Sequence, residues 1–515
     1  MIFAPIIILL IQVIVIRVVG IKFARLTWSL AVLLAFLTII GIIFLIPFLP
    51  LQSTIETWKP FEYFNTSLRY EMLKYQWISI LMVLALYFSA IVYHPGERHT
   101  EKVFKPGLYA VTAAASMAVI LSDNLYTVIT GLVFFDTIEL LSNFQWENGK
   151  PHFVLPRQEI FPRSLSILMI LASYIFHRNS IIVSEHYLIY KNTGALLLLS
   201  AVIIRIMFHI SSNFKDKPKR KHNTYNYLIN VGTSLSILQL DIFTTSGILD
   251  NGVLLVIGLV VLMSQLPGIL SRVKKFEFYQ SFSIYIVGAN LILIHLTPSY
   301  TEKIILYSIV VILCGAGAIF LQPFFEDRHR IPVIIFASLL VGIPFTPSAL
   351  WSGIWGGLIK ETGSLFLIIL LPLINALPVF KIINFLEIET ESWSGTEVIT
   401  RALFKAGPVV PLLSTAAISV WSGDFDKGWQ SWLFILMVTG VVLGLIRIKD
   451  KVDVIIENLK RMLPKTRSEQ LIEVPIKIES MVQHSLSEAE HFLEGESSFL
   501  WVLLVLIVIA LINRR

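Results

Sequence analysis

Long apolar runs separated by short polar connections occupy most of the 515-residue chain. A helical membrane span needs about 20 predominantly apolar residues, and runs of this kind recur along the chain to its C-terminal end. The pattern therefore predicts an all-α polytopic membrane protein with about 14–16 transmembrane helices. The predicted spans are approximately 2–20, 27–50, 75–94, 107–121, 124–143, 163–178, 192–212, 226–242, 252–271, 278–297, 303–322, 331–350, 354–378, 400–421, 430–447 and 499–512.

Two interruptions of this pattern carry structural expectations. The stretch Phe144 to Arg163 is polar and rich in proline, which predicts a loop or an interfacial segment. The spans between residues 226 and 297 contain many helix-breaking residues, which predicts broken helices, arranged as inverted repeats, whose freed backbone groups line a wet cavity. These residues are Gly232, Gly247, Gly252, Gly258, Pro267, Gly268 and Gly288.

The C-terminal stretch from Arg447 has a different character. Residues 449–495 alternate an apolar stripe with charged positions, which predicts an amphipathic helix lying along the membrane surface. The chain then returns to a terminal transmembrane anchor at 496–515. The remaining predicted domains are the N-terminal helices 1–106, a first helical bundle 107–242, a second bundle 243–380 and the C-terminal transmembrane helices 381–448.

Composition narrows the function classes. Hydrophobic residues make up 55% of the chain, charged residues 15%, and the mean hydropathy is +0.75, values typical of a membrane protein. The single cysteine, Cys314, excludes an internal disulfide framework and a Cys-rich metal or iron–sulfur site. No nucleotide loop, metal cluster or nucleophile-and-base set is recognisable, so we expect no cofactor and no catalytic or redox centre in this chain. The first apolar run lacks a basic n-region and a cleavage site, and we expect it to be retained as a span.

The net charge of +6 is concentrated in short loops, most densely in residues 215–222, which read KDKPKRKH. The positive-inside tendency predicts that this loop is cytoplasmic and orients the chain in the bilayer. The alternative is that the loop binds anionic lipid or nucleic acid. We expect partners within the bilayer and no nucleic acid.

Arg205 lies in the middle of the apolar run Gly194 to Ile210, where a charge left to lipid is costly. It therefore needs a partner inside the protein. The candidate partners are Asp136 and Glu139, which lie three residues apart in another apolar run. His209 lies four residues after Arg205, on the same face of a helix.

Further charged residues interrupt the apolar runs. Alternating acids and bases near the bilayer midplane would provide the sites that a proton or ion relay requires. The alternative is that some of them lie at span ends and extend their charges to the interface. The candidates for ion translocation are Asp136, Glu139, Arg205, Asp241, Lys274, Lys360 and Glu361, with Lys275, Glu277 and Lys381 as candidates for interfacial positions.

Four stretches resemble the antiporter-like, proton-conducting membrane subunits of respiratory complex I, membrane-bound hydrogenases and multisubunit cation/proton antiporters. In this resemblance Asp136 occupies the position of a buried acid that is usually glutamate, Arg205 that of a characteristic lysine, and Lys274 that of a further lysine. The stretches are MAVILSDNLYTVITGLVFFDTIELLS (117–142), GALLLLSAVIIRIMFH (194–209), SRVKKFEFYQSFSIYIVGANLIL (271–293) and IPVIIFASLLVGIPFTPSALWSGIW (331–355).

The resemblance implies a multi-pass integral membrane subunit, of a prokaryotic cytoplasmic membrane, whose partners are other membrane subunits of a larger complex and the lipid bilayer. Such a complex would be an ion-translocating antiporter, or an oxidoreductase of the NADH-quinone or hydrogenase type. In this reading protons or a cation move along the buried charged residues. Two other readings stay open: a structural subunit that no longer conducts, and a proton-driven partner of a bicarbonate-uptake pump.

The chain also departs from the pattern of these subunits. Arginine replaces lysine at position 205, and arginine stays charged where a buried lysine readily loses its proton. The lysine expected on the twelfth helix would fall near Gly353, whereas Lys360 lies seven residues later. The polar segment expected after the seventh helix is replaced by the basic loop around Lys217 to Lys221.

Overall fold

A computed structural model describes most of the chain up to residue 447. Contacts between Cα atoms divide the chain into two units, one of residues 1–155 with 159–446 and one of residues 156–158 with 447–515. The predicted surface helix 449–495 and terminal anchor 496–515 lie outside the described residues. The described residues are 2–23, 27–55, 67–97, 106–142, 144–147, 150–153, 160–182, 187–214, 224–239, 251–270, 275–296, 349–362, 365–384 and 432–447, with single positions or short pieces in 301–343 and 409–417.

Helices account for most of the described residues, as the apolar runs predict. Up to residue 296 the helix bounds lie within a few residues of the predicted spans, except that α2 ends before its span does. The helices are α1 Ala4–Lys22, α2 Thr27–Ile43, α3 Lys74–Glu97, α4 Pro106–Ile120, α5 Leu125–Ser142, α6 Ile160–Ile182, α7 Tyr187–Phe214, α8 Thr224–Leu238, α9 Asn251–Leu270, α10 Lys275–Leu296, α11 Ala349–Thr362, α12 Leu365–Asn384 and α13 Trp432–Arg447, with a short 3₁₀ helix at Ile46–Phe48.

The prediction of one span over 354–378 is wrong. The structure has two helices there, because α11 ends at Thr362 and α12 begins at Leu365. Gly363 directly follows α11 in the sequence, and glycine is the residue that most often follows the end of a helix. Apolar residues continue on both sides, so hydropathy alone does not mark this boundary.

The prediction of an all-α chain is also wrong in detail, because the described residues include two antiparallel hairpins. In the first, β1 (Leu51–Ile55) pairs with β2 (Leu68–Met72), and Leu51 lies opposite Met72. The second pairs β3 (Phe144–Glu147) with β4 (Lys150–Phe153) inside the stretch predicted to be a loop or an interfacial segment. The two residues between β3 and β4 are Asn-Gly, the strongest short-range hairpin signal.

Strand β2 is attached to the connection between α4 and α5. The backbone N–H of Glu71 donates to the carbonyl oxygen of Leu121 at 2.9 Å, and the N–H of Asp123 donates to the carbonyl oxygen of Arg69 at 3.0 Å. Backbone pairing of this kind satisfies polar groups at the end of α4 that the helix itself leaves unpaired. The hairpin therefore fixes where α5 begins.

The glycines of α8 to α10 do not break the helices in which they lie. Gly232, Gly258 and Gly288 are within α8, α9 and α10. A Cβ atom at Gly288 would lie 2.9 Å from the backbone nitrogen of Leu262, and one at Gly258 would lie 3.0 Å from the carbonyl oxygen of Gly288. These glycines therefore allow α9 and α10 to pack closely, as small residues do between membrane helices.

The first three helices are joined by a buried polar network centred on Gln12 of α1. Its side-chain amide nitrogen donates to the carbonyl oxygen of Leu34 at 2.7 Å and also contacts the hydroxyl of Thr38. The hydroxyl of Tyr87 in α3 donates to the amide oxygen of Gln12 at 3.1 Å. Every polar group of the amide side chain thus has a partner, as burial requires.

Two helical segments of the described residues are both long enough and apolar enough to cross a membrane by themselves, Thr27–Phe48 and Lys74–Val92. The first has many exposed apolar side chains, including Leu33, Phe36 and Leu37, whereas the second is mostly buried. Other apolar helices are shorter over their described residues, among them Leu125–Ile138 and Asn192–Arg205.

Candidate functional site

The site is built on α5, whose start is fixed by Asn124. The Asn124 side-chain oxygen accepts a 2.9 Å hydrogen bond from the backbone N–H of Thr127, the arrangement of a helix N-cap. The side-chain amide of Asn124 also donates to the carbonyl oxygen of Ser67, next to strand β2, at 2.8 Å. This double attachment sets the position of α5 and hence of Asp136, which lies in its second half.

Arg205 of α7 and Asp136 of α5 form a bidentate ion pair. The Nη1 atom of Arg205 donates to Oδ2 of Asp136 at 3.0 Å, and Nη2 donates to Oδ1 at 2.5 Å. The two side chains are 11% and 7% exposed. The partner that the sequence requires for Arg205 is therefore present, and the two parallel bonds use the planar guanidinium as only arginine can.

A third side chain completes this arrangement. The Nη1 atom of Arg205 also lies 3.4 Å from the hydroxyl oxygen of Ser166 in α6. The Ser166 hydroxyl donates to the carbonyl oxygen of Arg163 at 2.7 Å, so its lone pairs are available to Arg205. Ser166 is fully buried. We define Asp136, Ser166 and Arg205 as the charge site.

Desolvation decides what the charge site can do chemically. Taking a carboxylate and a guanidinium out of water is costly, and their attraction offsets that cost only with good geometry and further hydrogen bonds. The two parallel bonds and the Ser166 contact supply these conditions. The pair thereby links α5 to α7 through two parallel bonds.

The other predicted site residues are not brought to the charge site by the described part of the structure. Glu139 belongs to α5, and Lys360 and Glu361 belong to α11, but their side chains lie outside the described residues. Asp241 and Lys274 lie outside the described residues altogether; Lys274 directly precedes α10. Gly353, where the resemblance places a lysine, is part of α11.

Ser166 is the site residue that sequence reasoning missed. It lies in a predicted span and carries no charge, so nothing in the pattern distinguishes it from other buried serines. The one available signal is that α6 is the span between the two spans that contain Asp136 and Arg205. A small polar residue on α6 could therefore be expected to contact the pair of Asp136 and Arg205.

A second set of buried polar groups lies on α10. The side-chain amide of Asn290 donates to the hydroxyl of Ser308 at 2.5 Å, and the hydroxyl of Tyr285 donates to the carbonyl oxygen of Ile374 at 3.0 Å. Ser283 is also fully buried, and its hydroxyl has no hydrogen-bond partner in the described part of the chain. Within the described residues, no three His, Cys, Asp or Glu side chains are grouped so that they could hold a metal ion.

The fold of this chain is similar to the folds of chains in two solved complexes, at low sequence identity. One similar solved structure is the Mrp complex from Dietzia sp. DQ12-45-1b, with a TM-score of 0.64 and 12% identity over 99% of this chain. The chain spans 62% of the length of that Mrp chain.

Another similar structure is the membrane-bound sulfane sulfur reductase, an archaeal respiratory membrane complex, with a TM-score of 0.60 and 13% identity over 99% of both chains. No protein-family model matches the sequence, and no curated protein does. At these identities the likeness is one of fold. It confirms the resemblance seen in the sequence and agrees with an integral membrane protein.

Proposed function

We propose that this chain is an antiporter-like membrane subunit of a multisubunit ion-translocating complex. The fold it shares with chains of the Mrp complex and of an archaeal respiratory membrane complex supports this assignment. The observation that carries the proposal further is the bidentate pair between Asp136 and Arg205, because buried ions within a bundle of apolar helices mark ion pathways or the sites that control them.

In this proposal the charge site is a fixed electrostatic element of the first bundle, residues 107–242. The two parallel bonds engage both side chains with each other, so neither group is free to take part in transfer. The fixed pair still acts on its surroundings, because its dipole changes the energy of a charge arriving nearby in a medium of low dielectric constant. It modulates conduction and does not itself conduct.

The mobile charge then belongs to the second bundle, residues 243–380. Lys274 is the candidate that titrates, since lysine loses its proton readily when it is buried. Asp241, Lys360 and Glu361 are its candidate partners, and Glu139 is the candidate that connects this path to the charge site. The ion that passes between these groups is a proton or another cation. The protein would cross the membrane about 14–16 times and would have other membrane subunits as neighbours.

One observation favours a different function, that of a structural subunit which no longer conducts. The same pair that fixes Asp136 removes a titratable lysine from the first bundle, and Gly353 stands where another lysine is expected. A subunit with both losses would keep the fold and its surfaces for neighbouring subunits. The two functions differ in whether Lys274 is required.

The test is proton flux in proteoliposomes that contain the full chain with its native membrane partners. Lys274→Ala removes the titratable candidate, and Lys275→Ala is the matched control because it removes the same charge one residue further on. We expect Lys274→Ala to reduce flux at least tenfold, and Lys275→Ala to change it by less than about twofold, since removing an essential relay group costs several kcal/mol of barrier. If both variants assemble into the complex and both keep the proton flux of the parent chain, the structural function is the correct one.

A second variant tests the role of the charge site. Arg205→Lys restores a titratable group and should raise flux or make it depend more steeply on pH, because lysine exchanges protons where arginine does not. Unchanged or lower flux in this variant would contradict the view that the charge site is a fixed element which limits conduction.

A further inference from the structure

We propose that Ser166 is a positioning residue that holds the Arg205 guanidinium in register with Asp136. The proposal rests on the proposed function for its significance, since the pair is the site through which conduction would be modulated. The geometric relationship itself is independent of any transport activity. It predicts that Ser166 and Asp136 are energetically coupled through a shared partner.

The first step of the argument is the packing of three helices. Helix α6 packs extensively against α7 and also against α5, whereas α5 and α7 have little direct contact with each other. The long side chain of Arg205 therefore spans the distance from α7 to Asp136 of α5. The same side chain contacts α6 at the hydroxyl of Ser166.

The second step concerns the direction of the hydroxyl hydrogen. Ser166 donates to the carbonyl oxygen of Arg163 at 2.7 Å, and a hydroxyl has one hydrogen to donate. Its contact with Nη1 of Arg205 at 3.4 Å can therefore only be one in which the oxygen accepts. Ser166 thus presents a lone pair to the cation and would not bind a second anion there.

The third step distinguishes Ser166 from the other buried serines. The usual contact of a helical serine among the described residues is a hydrogen bond to the carbonyl oxygen four residues earlier, as in Ser79, Ser89, Ser116, Ser236 and Ser308. Ser166 instead bonds to the residue three positions earlier and contacts a charged side chain as well. Helix packing alone does not require the second contact.

The physical consequence is a restriction of the guanidinium. The 3.4 Å contact is longer than the bonds to Asp136, so its direct contribution is small. Its effect is on orientation, because Nη1 is shared between an oxygen of Asp136 and the oxygen of Ser166. With Ser166 absent, the long arginine side chain gains rotamers in which only one of its two bonds to the carboxylate survives.

The test is a double-mutant cycle on the apparent Tm of the purified full chain in detergent. Ser166→Ala is combined with Asp136→Asn, and Ser166→Thr tests rescue because threonine keeps a hydroxyl. Ser173→Ala is the matched control: Ser173 is also fully buried in α6, lies two turns further on, and donates to the carbonyl oxygen of Gly194 at 2.6 Å. The Asp136→Leu/Arg205→Met variant provides a second background without an unpaired charge, in case Asp136→Asn does not fold.

We expect Ser166→Ala to lower the apparent Tm by about 1–3 °C in the parent chain and by less than half as much in either background that lacks the pair. Ser166→Thr should retain most of the parent Tm. The effect of Ser173→Ala should be the same in all backgrounds. An equal loss for Ser166→Ala with and without the pair would overturn the proposal.

Proton flux separates this inference from the proposed function. Coupling in the Tm cycle together with altered flux in Ser166→Ala supports both. Coupling with unchanged flux supports the positioning role and counts against a conduction role for the charge site. Absence of coupling overturns the positioning role, whatever the flux.

Discussion

The hydroxyl of Tyr285 in α10 donates a 3.0 Å hydrogen bond to the backbone carbonyl oxygen of Ile374 in α12. That carbonyl lacks its normal helical partner, because the residue four positions later is Pro378, which has no N–H. Tyr285 therefore supplies from a neighbouring helix the donor that proline removes. The bond also connects α10 to α12. Lys274 directly precedes α10, and Lys360 belongs to α11, the helix before α12.

We expect Tyr285→Phe to destabilise the protein by about 1–3 kcal/mol, because it leaves a buried carbonyl unpaired while the ring stays in place. The measurement is the apparent Tm of the full chain in detergent. Tyr174→Phe is the matched control, since the Tyr174 hydroxyl makes no hydrogen bond to the described residues. Similar losses for both variants would show that the Tyr285 hydroxyl is not needed.

A second change makes the argument about Pro378 specific. Pro378→Ala restores an N–H four residues after Ile374, so Tyr285→Phe should have little effect in that background. A loss of full size in the Pro378→Ala background would show that the hydroxyl acts in some other way.

The charge site leads to a prediction about stability. Asp136→Asn should destabilise the protein by about 3–5 kcal/mol, because it leaves the buried guanidinium of Arg205 without a counter-charge. The control is Asp123→Asn, an exposed aspartate just before α5, for which we expect a change within about 0.5 kcal/mol. Thermal unfolding of the detergent-solubilised chain measures both.

Removing both charges should cost less than removing one. Asp136→Leu/Arg205→Met replaces the pair with apolar side chains, and such replacements of buried pairs are often neutral or stabilising. A double variant less stable than Asp136→Asn would mean that the attraction within the ion pair stabilises the protein by more than the desolvation of its two charges destabilises it. Comparison of the two apparent Tm values decides between these outcomes.

Close packing between α9 and α10 predicts a strict requirement for glycine at position 288. Gly288→Ala would place a methyl group 2.9 Å from the backbone nitrogen of Leu262 and 2.9 Å from a side-chain carbon of Val261, so the helices must separate. We expect a loss of about 1–3 kcal/mol from overpacking. Gly252→Ala, in the neighbouring helix α9, meets no atom within 4 Å and should be neutral or slightly stabilising. Unfolding monitored by tryptophan fluorescence compares the two, and equal stability would contradict the packing argument.

The Asn124 side chain makes two separable sets of bonds: its oxygen accepts from the backbone N–H and the hydroxyl of Thr127, and its amide nitrogen donates to Ser67. Asn124→Ala removes both the cap on Thr127 and the bond to Ser67, whereas Asn124→Asp keeps the cap and removes only the donor to Ser67. We expect a loss of about 1–2 kcal/mol for alanine and a smaller loss for aspartate. Hydrogen exchange should accelerate in β1 and β2 for both variants. Unchanged exchange in the hairpin would show that Asn124 does not attach it to α5.

Much of the helical framework follows from sequence because the bilayer imposes a length on every apolar run. The same physics identifies Arg205, since a cation in such a run requires a partner, and Asp136 is one of the two acids suggested by their position in another run. The choice between Asp136 and Glu139 is different. It depends on which face of α5 is turned toward α7, and the apolar pattern around the two acids does not define a single face.

The sequence analysis missed other features for two reasons. Some depend on residues that are distant in the sequence, and one local signal was outweighed by its surroundings. The β3–β4 hairpin has an Asn-Gly signal, but the surrounding prolines favoured an irregular segment. Glycines such as Gly258 and Gly288 occur both in broken helices and in helices that pack closely together. Only the position of the neighbouring helix distinguishes these two cases. Sequence also gives no sign of the bond from Tyr285 to Ile374, which joins residues 89 positions apart.

The sequence by itself determined that this is a chain of apolar helices with a buried arginine, because hydropathy and the cost of burying charge act on each segment separately. Tertiary structure decided that Asp136 meets Arg205, that Ser166 supports the pair and that Tyr285 compensates for Pro378. These depend on helix rotation and on which helices are neighbours. Helix rotation is set by many weak packing contacts together, and no single segment encodes it.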